Sequence, residues 1–153
     1  MNLCEEEQTN KLEIYNYLIE TYIDTINKLI DISYSMNILP FKVILGMNYI
    51  KKYLSDNRFE TLQNGITYLL TNKDTVLNFD ITNLDELDED LSDNVSVKSC
   101  VNKYSEQKSN DILNLIIEIK NNTKKISNSD VLIIKKYFEL LIVILEKIQN
   151  LFI

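Results

Sequence analysis

Acidic side chains are the most abundant reactive groups in this chain. It holds 23 Asp and Glu against 16 Lys and Arg, with two Cys, nine Tyr and no His. Lacking imidazole, it lacks the commonest general base, the base of Ser and Cys triads and the usual nitrogen ligand of zinc. Cys4 and Cys100 lie far apart, and two thiols cannot complete a four-ligand zinc site. Cys4 neighbours acids and Cys100 sits in a polar stretch, so neither has a reason to be an activated thiolate. Glycine occurs only at 46 and 65, which excludes both the GxGxxG and the Walker phosphate loops. These negatives predict no catalytic residues, no cofactor, no metal site and no enzyme.

The densest carboxylate cluster is Asp85, Glu86, Asp88, Glu89, Asp90 and Asp93, preceded by Asp80. Aligned as a calcium loop from Asp88, it puts Asp93 where Gly is needed and Ser99 where a bidentate Glu is needed. The motif fails twice, and a solvated acidic tether is the better reading. Residues 80–93 hold seven acids and no base, so the remaining residues balance at 16 acids and 16 bases, and the net −7 resides in this one segment. Of the rest, residues 1–79 carry ten acids and seven bases, and residues 94–153 six acids and nine bases. Nine tyrosines invite a base-stacking reading, but Tyr15 and Tyr22 fall on a core stripe and the net charge repels phosphate, so no nucleic acid is expected. A modest basic cluster, Lys120, Lys124, Lys125, Lys135 and Lys136, has the acidic tether as its simplest partner.

The elements that carry these groups read as helices. Leu12, Tyr15, Ile19, Tyr22, Ile26 and Leu29 recur at steps of three and four, which predicts an amphipathic helix over 9–35 capped by Thr9 or Asn10. Glu13, Glu20, Asp24 and Asp31 fall mostly off that stripe, on the solvated side. Such a near-heptad stripe serves either as a core face or as an oligomer seam, so these six residues are also the candidate interaction face. Pro40 suits a first helical turn, and the nearly all-round apolar run from Pro40 to Leu54 predicts a helix through the middle of a bundle. Residues 57–79 suit a helix with a capping box of Asn57 and Glu60, although Asn64-Gly65 is also a hairpin signal, which keeps a small hairpin near 59–70 as the competitor. Residues 83–108 read as a mobile acidic connector. Two further helices are expected, at Asn110–Asn121 and from Asp130 with Ser129 as its cap, the latter turning Ile134, Phe138, Leu141, Leu145, Ile148 and Phe152 inward. The fold class is therefore all-α: one domain over 1–153, a bundle of four to five helices, with helical parts at 9–79 and 109–153.

The C-terminal segment from Val131 to Ile153 is the most apolar part of the chain. Its uncharged stretch Leu140 to Leu145 is bounded by Glu139 and Glu146, far short of the roughly 20 residues a span requires, so no membrane insertion is predicted. With acids where a signal peptide carries base, a reducing, cytosol-like location is expected.

The chain has no Ala and no Trp and is rich in Asn, Ile, Lys and Tyr. This texture resembles the small open reading frames of large A/T-rich DNA viruses; it spans the chain as composition and contains no diagnostic motif. The resemblance implies a virion component or a host-directed factor. In architecture alone, the expected bundle also resembles small viral apoptosis inhibitors of the Bcl-2 type, with Pro40–Leu54 in place of their central hydrophobic hairpin. Their Asn-Trp-Gly-Arg motif is absent. The leading expectation is a non-enzymatic interaction or assembly protein that binds a protein partner or itself; the alternative is a host-directed regulator that holds a partner's helix in a groove.

Overall fold

The computed structural model describes residues 3–78 and 106–151, and every regular element among them is helical. The order is α1 (Leu3–Ser35), α2 (Phe41–Leu45), α3 (Met47–Asp56), α4 (Arg58–Gly65) running into a π-helical turn (Ile66–Leu70), α5 (Lys73–Leu77), α6 (Glu106–Thr123) and α7 (Asn128–Leu151). The all-α class stands, with seven α-helices among the described residues where four to five were expected. The 83–108 connector lies outside the described residues except at its end, where residues 106–108 belong to α6.

α1 begins six residues before the expected start. Glu5 and Glu6 in its first turn complement the positive end of the helix dipole. Thr9 is not a cap: its hydroxyl donates to Glu5 O at 2.8 Å from inside the helix. Thr25, buried in the core, satisfies its hydroxyl the same way on Thr21 O at 2.7 Å. The helix ends in a Schellman motif, in which Ile38 N–H donates to Ser33 O and Asn37 N–H to Tyr34 O. Asn37 takes the left-handed conformation this requires, with φ 60°. The motif buries Ile38 and, two residues on, Pro40.

The Pro40–Leu54 expectation fails in two respects. Pro40 is the N-cap of α2, with ψ 150°, and lies just ahead of the first helical turn. The run is also divided at Gly46 into α2 and α3, neither of which buries a single side chain, so it lies on the outside of the molecule and not at its centre. Val43, Ile44, Met47, Ile50 and Leu54 are half-buried, while the other apolar side faces solvent. An ion pair from Lys51 to Asp31 ties α3 to α1.

The capping box at Asn57 does not form either. Asn57 donates from Nδ2 to Tyr53 O at 2.9 Å, and Glu60 accepts the Tyr53 hydroxyl at 3.1 Å. The hairpin competitor at 59–70 is replaced by helix, and Gly65 shows why its Asn-Gly signal misleads. Its backbone is ordinary helix, φ −59° and ψ −47°. The glycine serves a close approach: a Cβ there would overlap Tyr22 Oη and lie 3.0 Å from Tyr22 Cζ and 3.3 Å from Leu145 Cδ1. The cap of α7 is Ser127 in place of Ser129, its Oγ accepting from Asp130 N–H at 3.1 Å.

α1 and α7 pack antiparallel and supply most of the core. Ile19, Tyr22 and Ile23 of α1 meet Leu141, Ile144, Leu145 and Ile148 of α7, with Leu62 of α4 against them. Full burial of each such side chain contributes about 1.5–3 kcal/mol. Helices from both sides of the acidic segment therefore share one core. Lys73 of α5 reaches Glu146 of α7 at 2.5 Å, and this hydrogen bond holds the ammonium above its ordinary pKa.

The contact among Tyr22, Gly65 and Leu145 yields two predictions. Gly65→Ala should destabilise by about 1–3 kcal/mol through overpacking, although Ala is the better helix former. Adding Tyr22→Phe removes the nearest obstructing atom and should recover part of that loss in denaturant melts. Gly46→Ala, whose Cβ would meet nothing nearer than 3.7 Å, should be tolerated. If Gly65→Ala melts like the parent chain, the close approach is absent. The second concerns pH. Burial pushes the Tyr22 hydroxyl up to about 12, against an ordinary value of 10. Between those values the unfolded chain has lost this proton and the folded chain retains it, so stability must fall as pH rises, by at most about 1.4 kcal/mol per unit. Thermal melts between pH 9 and pH 12 should show a steeper fall for the parent than for Tyr22→Phe, and equal slopes would refute the burial argument.

Candidate functional site

The six residues of the α1 stripe separate on folding. Ile19 and Tyr22 are buried in the core, while Tyr15, Ile26 and Leu29 pack part-buried against it. Only Leu12 remains outside, 55% exposed. Of the two roles open to the stripe, core and seam, its central part takes the first. Glu13, Glu20, Asp24 and Asp31 are exposed as expected; Glu20 lies 3.7 Å from Arg58 and Asp31 pairs with Lys51. Asp85, Glu86, Asp88, Glu89, Asp90 and Asp93 lie outside the described residues.

The surfaces left open are elsewhere. Phe41 and Leu45 of α2 and Tyr49 and Tyr53 of α3 recur at steps of four, and the first three are 69%, 72% and 73% exposed. Lys42 and Lys52 are exposed on the same two helices. Periodicity registered these aromatics but assigned them to the core, because apolar residues fall on both sides of the segment and spacing alone cannot say which side is covered. Tyr17 and Tyr34 of α1 are exposed as well. The assignment of Pro40–Leu54 to a central hydrophobic hairpin, as in the Bcl-2 type, falls with this placement.

At the other end of the exposure pattern is the tip of α1. Every residue from Cys4 to Ile14 is exposed, including Glu5, Glu6, Glu7 and Glu13 with a single base, Lys11. Leu12, Ile14 and, one turn on, Tyr17 add apolar surface to this acidic end.

A third feature is a trough between α1, α6 and α7. Its larger lobe, about 510 Å³, is floored by Leu29, Ile38, Ile116, Ile119, Ile134 and Phe138. A smaller lobe of about 250 Å³ continues toward Thr75 and Val76 of α5 and shares Thr123, Ile134 and Phe138 with the first. α6 is only partly covered along this trough: Ile112, Leu113, Leu115, Ile116 and Ile119 are half-buried, none of its described side chains is fully buried, and Ile117 is exposed. Asn122 Nδ2 donates to Ile38 O at 2.9 Å and pins the end of α6 to the turn after α1. Lys120 and Lys135 line the two lobes, and no acid does.

Among the described residues, no group of three or more Asp, Glu or Cys side chains is placed to hold a metal ion. No helix among them is long and apolar enough to cross a membrane. The chain matches no family model, no curated protein and no solved structure.

Proposed function

We propose that this chain is a non-enzymatic helical assembly protein, which associates with further copies of itself through the outward face of α2 and α3. The exposed step-of-four stripe Phe41, Leu45, Tyr49 and Tyr53 carries the reading. Aromatic side chains give large contact area for little lost rotamer freedom, and they are enriched where proteins bind proteins. Lys42 and Lys52 accompany the stripe, with Asp111 and Glu118 of α6 beside Phe41 and Lys42, and the exposed tip of α1 offers Glu5, Glu6, Glu7 and Glu13 beside Leu12, Ile14 and Tyr17. Tip against stripe is a head-to-tail contact, which propagates into a ring or a filament. The absence of His and of any phosphate loop supports the non-enzymatic part. The compositional resemblance to small viral proteins supports a place in a virion.

The host-directed helix-in-groove regulator is the second reading, and the trough between α1, α6 and α7 favours it.

Light scattering coupled to size-exclusion chromatography tests the first reading. The parent chain should gain mass as concentration rises, and less so at high salt, where the acid–base complement is screened. The triple variant Phe41→Ser, Leu45→Ser, Tyr49→Ser should remain monomeric with its helical circular dichroism intact, since each exposed substitution costs about 0.5 kcal/mol or less. A parent that stays monomeric at every concentration, or a triple variant that associates as well as the parent, would sink the proposal.

A further inference from the structure

We infer that Asn64 is a self-modification site that the fold keeps closed. While α4 is intact the Asn64 side-chain amide survives. When α4 opens, the Gly65 nitrogen attacks that amide, and the altered chain cannot rebuild the contact beneath Tyr22. Glycine occurs only at 46 and 65, and residue 45 is Leu, so Asn64-Gly65 is the one Asn-Gly pair in the chain. It forms no turn here, and the close approach of Tyr22 accounts for the glycine.

The reaction uses only the pair and solvent water. Gly65 N gives its proton to solvent and bonds to Asn64 Cγ; the Cγ–Nδ2 bond breaks and ammonia leaves, closing a five-membered imide. Water then adds to either carbonyl of the ring. The ring opens to an aspartyl residue or to an isoaspartyl one, whose main chain runs through Cβ. No oxidation or reduction occurs. A following glycine favours the attack, because no Cβ on that residue hinders it.

Three features of α4 oppose ring closure. The ring requires Asn64 Cβ and Gly65 N to lie almost eclipsed about the Cα–C bond, whereas helical ψ, about −42°, holds them well apart. The Gly65 N–H belongs to the hydrogen-bond ladder of α4. Gly65 is also buried, against Tyr22 and Leu145, so base and water reach its nitrogen poorly. Asn64 itself is exposed, and its protection therefore comes from the backbone of α4 and not from its own burial. Once formed, the isoaspartyl product has one extra main-chain atom directly before Gly65. A Cβ at 65 would already overlap Tyr22 Oη, so a displaced backbone there cannot seat under the phenol ring. An opening that outlasts the reaction becomes irreversible.

Peptide mapping by mass spectrometry tests this on the full chain. The parent is aged in mildly alkaline buffer and in guanidinium chloride, and the mass gain of amide-to-acid exchange at Asn64 is followed. Loss of the amide in buffer should be about tenfold or more slower than in denaturant, since it must wait for α4 to open. Leu62→Ala, which leaves a cavity where α4 meets the core, should speed the loss in buffer by about tenfold or more, whether it loosens α4 or unfolds the chain. Refolding yield on dilution should fall as the parent ages in denaturant. Asn64→Gln, whose ring would need six members, should keep its yield over the same time. Equal rates in buffer and denaturant, or a Leu62→Ala rate no faster than the parent's, would overturn the protection by α4. An aged parent that has lost the amide yet refolds like fresh protein, or an Asn64→Gln chain that loses yield equally, would overturn the irreversible step.

Discussion

The antiparallel contact between α1 and α7 decides what every other helix can do. At its centre Tyr22 lies across Gly65, with Leu145 beside them, and no side chain fits between. Close packing of this sort leaves little room for adjustment, because protein interiors are as dense as organic crystals. The phenol ring needs a neighbour without a Cβ, so α4 must present Gly65 at this point. The π-helical turn that follows lets Ile66, Leu69 and Leu70 reach the same core. The order of elements from Arg58 to Leu70 is thus set by one tyrosine on another helix.

A core built chiefly from two long helices is narrow. Its buried members come from α1, α4 and α7, and the remaining helices cover it only in part. α2 and α3 half-bury one side of an apolar segment and leave the other side in water. α6 sits against α1 and α7 with a trough between. Scattered apolar side chains on a surface need no explanation, but a regular stripe of aromatics and a continuous apolar trough do. Both arise from the same shortage of covering elements, the stripe on α2 and α3 and the trough where α6 meets α1 and α7.

This division also explains what the sequence made legible. The class and the two long helices were readable because each has one apolar side and one polar side, so periodicity and burial coincide. Ile19, Tyr22, Leu141, Leu145 and Ile148 were placed correctly on that basis. From Pro40 to Leu54 the apolar residues occupy both sides, and local spacing carries no information about which side another helix will cover. The favoured helix reading holds at Gly65, and the hairpin competitor there arose for a related reason. A glycine after Asn marks a turn when it must adopt positive φ, but here the demand comes from Tyr22, forty-three positions away. The caps at Thr9 and Ser129 failed by competition between neighbouring candidates, Thr9 turning to a helix-interior bond and Ser127 capping ahead of Ser129. The candidate surfaces were the least legible feature, since exposure is a property of the assembled fold.

Charge placement connects these surfaces to the segment at 80–93. Outside that segment the chain has as many bases as acids. A neutral body that exposes Phe41, Leu45 and Tyr49 has no long-range repulsion to oppose indiscriminate contact, and proteins near zero net charge tend to associate and precipitate. Seven acids in one sequence segment supply that repulsion, while the rest of the chain stays balanced. Net charge concentrated in one sequence segment therefore opposes indiscriminate contact without unbalancing the rest of the chain.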